Sequence, residues 1–267
     1  MDFKGKAVFI NGASRGLGRS MSVSFAKAGA SMIALGARSD LSVTIAEMKA
    51  AVSSLGRPDP QILPINFDVT DRKSVEEAAA QVEKNFGRID IIINNSGKFE
   101  WATILESDPD EWWKTFKVNL GCYLVAHAFV PLMLKGGNKT IVTVSSVGAH
   151  LKIPGLNAYQ ISKMAVLRLS EFIVEEYGDK GVLAYCIHPG NIVTELLAGG
   201  LDSLDPIYRP VFTETAELSA DSLVYLTSQK RDWLGGRYIN VTWDLPELMD
   251  KKDEIVQGDK LKIKLVI

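Results

Sequence analysis

The chain predicts an α/β fold: a single domain on a doubly wound, seven-stranded parallel sheet with helices on both faces. Three observations carry that expectation. Short apolar runs bounded by Gly, Asn or Asp alternate with segments of helical period from residue 6 to about 242. The runs are rich in Val and Ile and do not alternate with polar residues, as strands covered on both faces require. The 267 residues, 46% hydrophobic and 23% charged at a mean hydropathy of +0.07, can bury a substantial core, and no linker, repeat or low-complexity stretch divides them.

The elements follow in order. A strand at 6–10 runs through a glycine-rich turn into a helix at 16–29. Strands at 31–36 and 62–67 bracket a helix at 41–55, and a helix at 72–86 leads to a strand at 89–93. A long helix over 109–134 starts with Asp108 as N-cap and Pro109 at the first helical position. Strands at 140–144, 182–187 and 237–242 alternate with helices at 157–177 and 215–228. Two regions break the rhythm. Residues 191–213, with Gly199-Gly200, Pro206 and Pro210, stand where a mobile lid over a site is expected. Residues 243–267 read as an extension packed on the 1–242 domain, with a helix over Pro246 to Gln257 and a short edge strand over Leu261-Lys262-Ile263-Lys264-Leu265.

Bulk properties exclude several functions. A net charge of −2 and a pI of about 6.0 offer no phosphate-neutralising surface, so nucleic acid is not an expected partner. Cys122 and Cys186 lie far apart without CxxC spacing, and His127, His150 and His188 show no ligand spacing, so no metal site is expected. The two cysteines read as buried thiols in a reducing compartment. The apolar run Ala7-Val8-Phe9-Ile10 is too short for a signal-peptide core, and no apolar stretch approaches the ~18 residues of a membrane helix. A cytoplasmic protein without a membrane partner is the expectation.

Asn11-Gly12-Ala13-Ser14-Arg15-Gly16-Leu17-Gly18 follows the first strand and opens the first helix. Backbone N–H groups and the helix dipole there meet a negative group, the arrangement of a dinucleotide site in a Rossmann-type domain. At the end of the second strand Arg38 and Ser39 precede the first carboxylate, Asp40. Arg15 and Arg38 together favour a 2′-phosphate, hence NADP(H) over NAD(H). Phe67-Asp68-Val69 ends the third strand and Asn94-Asn95-Ser96-Gly97 the fourth.

Tyr159 and Lys163 stand one turn apart on one helix face, after a strand whose end carries Ser145-Ser146. A carbonyl receiving hydride becomes an alkoxide, so a positioned donor must supply a proton. Tyrosine's ordinary pKa is near ~10, and a neighbouring ammonium lowers it.

The spacing Gly12-x-x-x-Gly16-x-Gly18, the Asn-Asn-Ser-Gly turn and the set Asn119, Ser146, Tyr159 and Lys163 resemble the short-chain dehydrogenases/reductases of standard length, over about residues 3–242. Asn11 stands where that family has Thr, and Ser96 where it has Ala. The resemblance implies Tyr159 as acid/base, Lys163 as the cation that activates it and holds the nicotinamide ribose, Ser146 polarising the substrate oxygen, and Asn119 holding a relay water. For the cofactor it implies Gly12, Ser14, Arg15, Gly16, Leu17, Gly18, Arg38, Ser39, Asp68, Val69, Asn95 and Gly97. It adds Tyr159, Lys163 and the segment Pro189-Gly190-Asn191-Ile192-Val193-Thr194, of which Pro189, Gly190, Ile192 and Thr194 contact the nicotinamide end. It also implies a homodimer or homotetramer.

The chain departs from the family after the last strand, where Val241-Thr242-Trp243-Asp244-Leu245 replaces Asp-Gly-Gly. Such tails are similar to those of short-chain reductases in fungal secondary metabolism. They point to a bulky, aromatic or polycyclic small-molecule substrate. Trp243, Tyr208 and Phe212 are candidate pocket residues, with Trp101, Trp112, Trp113 and His150 beside them. Oxidation of an alcohol and reduction of a carbonyl both suit these residues. Reduction of an imine or a carrier-bound β-ketoacyl group is an alternative, and an NADP(H)-sensing module is a third.

Overall fold

The first strand divides its side chains between two cores, and that division sets the architecture. Val8 and Ile10 point into one apolar cluster, Ala7 and Phe9 into another, all four fully buried. In the computed structural model, which describes residues 2–197 and 206–265, this strand is β1 (Ala7–Asn11). It lies inside a sheet with β2 (Met32–Ala37), β3 (Gln61–Asn66), β4 (Ile91–Asn94), β5 (Thr140–Val144), β6 (Leu183–His188) and β7 (Tyr238–Asn240). The order is β3-β2-β1-β4-β5-β6-β7 and every neighbouring pair is parallel. All strand C-termini therefore open on one edge.

Helices α1 (Gly16–Lys27), α2 (Ser42–Ser54) and α7 (Ala216–Ser228) cover one face, and α3 (Arg72–Phe86), α4 (Pro109–Asn119), α5 (Cys122–Met133) and α6 (Asn157–Tyr177) the other. Their boundaries have local causes. Asp108 accepts the amide of Asp110 at 2.7 Å ahead of Pro109, and Asp71 caps α3 by accepting from Lys73. Gly87, at φ +72°, closes α3 in the left-handed conformation. Phe9 stacks on Phe129 of α5 with centroids 4.6 Å apart and meets Phe67 edge-on at 5.5 Å, joining sheet to helix layer.

The structure corrects five expectations. The helix over 109–134 is broken at Leu120–Gly121, where the Gly121 amide bonds Val118 O, one residue short of the helical partner; the missing Cβ there also admits Val69, whose carbonyl oxygen would lie 2.6 Å from it. Counted as one, the run 109–133 contains a window of mean hydropathy 1.3, long and apolar enough to cross a membrane, contrary to the sequence reading; half of that window is buried inside the domain. β7 ends at Asn240, whose side-chain carbonyl accepts from the amide and hydroxyl of Thr242 and turns the chain out of the sheet. The strand over 261–265 does not form, since Asp259 (φ 43°) and Leu261 (φ 64°) are left-handed. Asp259 instead gathers Lys262 at 2.8 Å, Lys264 at 3.0 Å and Arg237 at 3.4 Å.

The extension forms two short helices, α8 (Leu245–Asp250) and α9 (Lys252–Gln257), in place of one. Leu245, Leu248 and Ile255 join the core beneath α1 and α7. Within 191–213, a 3₁₀ helix spans Pro206–Val211, while 198–205, including Gly199-Gly200, lie outside the described residues.

Candidate active site

The strand order reverses between β1 and β4, and a crevice opens there above the strand ends. Asn11 binds its two sides together. Its side-chain carbonyl accepts from the amides of Asn95 at 3.0 Å and Ser96 at 2.7 Å, and its amide donates to Asn94 Oδ1 at 2.9 Å. Asn95 returns the contact by donating from Nδ2 to the carbonyls of Asn11 and Gly12 at 3.3 and 3.2 Å. Beside this knot Gly12 and Gly16 are left-handed, at φ +69° and +51°. A Cβ at Gly18 would sit 2.7 Å from the carbonyl carbon of Gly12 and from Asn95 Nδ2. The turn thus closes tightly on itself and leaves the start of α1 bare, with no side-chain cap from Arg15. That is a cradle shaped for a diphosphate.

At one end of the cleft Ser39 donates to Ser14 at 2.8 Å, and the exposed guanidinium of Arg38 stands 3.8 Å from Asp68. Burial works to raise the Asp68 pKa, but hydrogen bonds from Thr70 and the charge of Arg38 prevail and hold it below the ordinary value. Asp40 faces elsewhere. It accepts from the amide of Ser42 at 3.2 Å and from the Ser42 hydroxyl, and it does not line the cleft.

At the other end stand the catalytic candidates. Ser146 accepts the amide of Gly148 at 3.0 Å, which fixes its hydroxyl at the end of β5. Burial pushes the Tyr159 phenol above its ordinary pKa, and a hydrogen bond with Ser146 works against that rise. Lys163 is 4% exposed; its ammonium donates to Val144 O at 2.8 Å and stands 5.7 Å from the Tyr159 ring centre. Burial lowers it to about 8, against the opposing pull of Cys122 and Cys186. The sequence argument had Lys163 lowering Tyr159. In this structure burial dominates the phenol, and the lysine ammonium gives one of its hydrogen bonds to a backbone carbonyl.

Asn119, at the helix break, accepts from the amide of Lys98 at 2.8 Å and donates to Lys98 O at 3.0 Å and Ser162 Oγ at 2.8 Å. A Cβ at Gly97 would lie 3.5 Å from Asn119 Oδ1 and 3.7 Å from Lys163 Nζ, so both groups border one point. Ser145, out of register for substrate, donates to Lys163 O at 2.7 Å and pins α6 to β5.

Of the residues the resemblance implied for a cofactor, most line this single cleft: Gly12, Ser14, Arg15, Gly16, Leu17, Arg38, Ser39, Asp68, Val69, Asn95, Gly97, Tyr159, Lys163, Pro189 and Thr194. Gly18, Gly190 and Ile192 do not line it. Gly18 serves the turn's closure, and Gly190 (φ +94°) packs on Glu214, whose carboxylate accepts the amide of Asn191 at 2.9 Å. Beneath that turn His188 is pushed down to about 4 by burial, against the charge of Glu214, and so is neutral at pH 7.

The aromatic candidates separate. Trp101 and Tyr208 meet at 5.6 Å beside Phe99, which contacts Tyr159 at 5.1 Å. Trp112 packs on Phe116 and donates to Asn157 at 2.6 Å, a helix-packing role, and Trp113 joins that cluster. Trp243 and His150 both pack on Tyr238. Sequence reasoning missed Phe99; the alternation Lys98-Phe99-Glu100-Trp101, charged then aromatic, is the signal that marks it.

Comparison with known proteins agrees with this geometry. Residues 6–202 match the family model for short chain dehydrogenase. The chain is 55% identical over 267 residues to the short chain dehydrogenase pigC of Monascus ruber, covering 99% of this chain and 88% of that one. It is 50% identical over 265 residues to the short chain dehydrogenase citE of the same fungus, covering 98% and 89%. The crystal structure of a short-chain type dehydrogenase/reductase from Mycobacterium marinum superposes with a TM-score of 0.80 at 28% identity, covering 90% of this chain and 94% of that one. A reversed-order parallel sheet, a glycine turn knotted to β4 and a Ser-Tyr-Lys group at its strand ends thus meet in one molecule, and the chain belongs to the short-chain dehydrogenase family of NAD(P)(H)-dependent oxidoreductases.

Proposed function

We propose that the protein is an NADPH-dependent reductase that converts a carbonyl on a bulky organic molecule to an alcohol. The observation that carries this reading is the part-buried phenol of Tyr159, hydrogen-bonded with Ser146 and kept protonated at neutral pH, at one end of a cleft whose other end presents Arg15 and Arg38. Bound NADPH supplies the hydride. Tyr159 supplies the proton that the developing alkoxide needs, and Ser146, fixed by Gly148, orients the carbonyl oxygen. Lys163 holds a positive charge beside the phenol and would bind the nicotinamide ribose, and Asn119 borders the path by which a proton returns. Gly12, Gly16 and the open start of α1 would hold the diphosphate. Ser14, Arg15, Arg38 and Ser39 would hold a 2′-phosphate, while Asp40, engaged with Ser42, is turned away from a free ribose 2′-OH.

Near-full-length similarity to relatives from Monascus supports a role in fungal secondary metabolism. The same reading includes a homodimer or homotetramer, supported by exposed Trp113, Tyr123, Ile161, Met164 and Phe172 on α4, α5 and α6. It includes a reducing cytoplasm, supported by two free buried cysteines.

The test is NADPH oxidation across ketones, aldehydes, quinones and imines, beside NADH and Tyr159→Phe. Turnover with NADPH that vanishes in the variant supports the reading. Turnover confined to imines shifts it to imine reduction, and NADPH binding without turnover of any member removes it.

A further inference from the structure

Residues 98–102 run from the cofactor cleft to the mouth of the site, and their side chains alternate in kind. Lys98 and Glu100 face α4: Lys98 Nζ stands 3.2 Å from Glu111 and 3.5 Å from Glu100, and Thr115 donates to Glu100 at 3.1 Å. Lys98 and Glu100 are both mostly buried, so this is a sheltered clamp rather than a loose surface pair. Through its backbone Lys98 is also tied to the side chain of Asn119 in both directions. The far end is held as firmly. The amide of Ala102 donates to Gly155 O at 2.8 Å, and Asn157, two residues before Tyr159, donates to Ala102 O at 3.0 Å.

Between these anchors Phe99 and Trp101 face the other way. A chain of ring contacts runs from the catalytic phenol: Tyr159 to Phe99 at 5.1 Å, Phe99 to Trp101 at 6.3 Å, and Trp101 to Tyr208 at 5.6 Å. The Trp101 indole rests on Gly155, which is left-handed at φ +85° and lacks the Cβ that would collide with the ring. Trp101 nevertheless keeps 40% of its surface exposed. A large ring, fixed from behind and open in front, is a platform.

We propose that 98–102 is a two-sided rib, clamped by charge on its α4 side, whose Phe99 and Trp101 form a wall with Tyr208 and select a flat, conjugated aromatic carbonyl compound. The proposal rests on the carbonyl-reductase reading and narrows its substrate. The wall lies beside Tyr159, so a planar ring system stacked on it carries its carbonyl toward the phenol. Preorganisation matters here, because a side chain already ordered by its neighbours loses little entropy when a ligand lands on it.

The experiment compares 2-naphthaldehyde with hexanal in the wild type, Trp101→Leu, Trp101→Phe and Tyr208→Leu. One aromatic contact is worth about 0.5–1.5 kcal/mol beyond area burial, so Trp101→Leu lowers kcat/KM for 2-naphthaldehyde about two- to tenfold more than for hexanal, through KM, and Trp101→Phe restores most of it. Calorimetric binding of 2-naphthaldehyde to the NADP⁺-loaded protein needs no turnover and is expected to weaken in the same order. If neither aldehyde is reduced, the reductase reading fails while binding still judges the wall. Equal losses for both aldehydes, wild-type binding by Trp101→Leu, or no binding of 2-naphthaldehyde by the wild type overturns the proposal.

Discussion

Replacing Lys163 by Met makes the cost of burying its charge measurable. The ammonium is 4% exposed, and burial takes its pKa from 10.5 to about 8. In the unfolded chain it keeps the ordinary value. Below pH 8 both states hold the proton, and the folded state bears the full cost of burying it. Between pH 8 and 10.5 the folded protein releases that proton while the unfolded chain keeps it, so wild-type stability rises with pH relative to the variant. At about 1.4 kcal/mol per pH unit the whole difference is about 3 kcal/mol, of which roughly 2 to 3 kcal/mol is regained by pH 10. Cys122 and Cys186 feel the Lys163 charge, but both thiols stay protonated up to pH 10 in either folded protein, so their contributions nearly cancel in the comparison. Both are pushed up to about 12 by burial, and Tyr159, also raised, titrates in both proteins. Val144 O loses its donor in the variant at every pH. The assay is urea unfolding of both proteins at pH 7, 8.5 and 10. A stability difference flat across that range would refute the reasoning, because the burial cost would then not reside in the ammonium.

Further predictions are direct. Arg38→Ala weakens NADPH binding by about ten- to hundredfold in a fluorescence titration while NADH binding is nearly unaffected, and the loss shrinks at high salt; equal losses for both cofactors would reject the phosphate assignment. Gly18→Ala forces a Cβ against Gly12, costing about 2 kcal/mol and roughly 4–8 °C in Tm, with NADPH binding lost alongside. Asn11→Ala leaves the amides of Asn95 and Ser96 without their acceptor and destabilises by about 2–4 kcal/mol in urea unfolding, whereas Asn11→Thr returns part of it through its hydroxyl oxygen. An alanine variant as stable as the wild type would show that the knot between β1 and β4 is redundant.

The strands and the order of the site residues were legible because both follow from local pattern. Ala7-Val8-Phe9-Ile10, too short for a helix and followed by a glycine turn, reads as a strand covered on both faces, and Asp108-Pro109 announces its helix. The close approach at the Gly121 helix break was not legible, since its partner Val69 lies fifty-two residues away in sequence and meets it only in the fold. The tail failed for a similar reason. Leu261 to Leu265 alternates as a strand should, yet Asp259 draws Lys262, Lys264 and Arg237 to one carboxylate and bends the chain out of extension. At the site, residue types suggested the roles, but the proton balance needed burial. Four-residue spacing puts Lys163 near Tyr159, and only the fold shows that the ammonium bonds Val144 O and that desolvation dominates the phenol.

The knot at Asn11 also works as a ruler. Ser96 hangs from it by its amide, and Phe99 follows three residues later, so the cradle and the wall are fastened to one fixed mark by a short length of chain. Shifting that length by a single residue would reverse the alternation of the rib and turn Lys98 and Glu100 into the substrate's path. The site should therefore accept exchanged side chains at 99, 101 and 208 and resist insertions or deletions between 96 and 102. A change of substrate is then expected to come from side chains along this stretch, with its length unchanged.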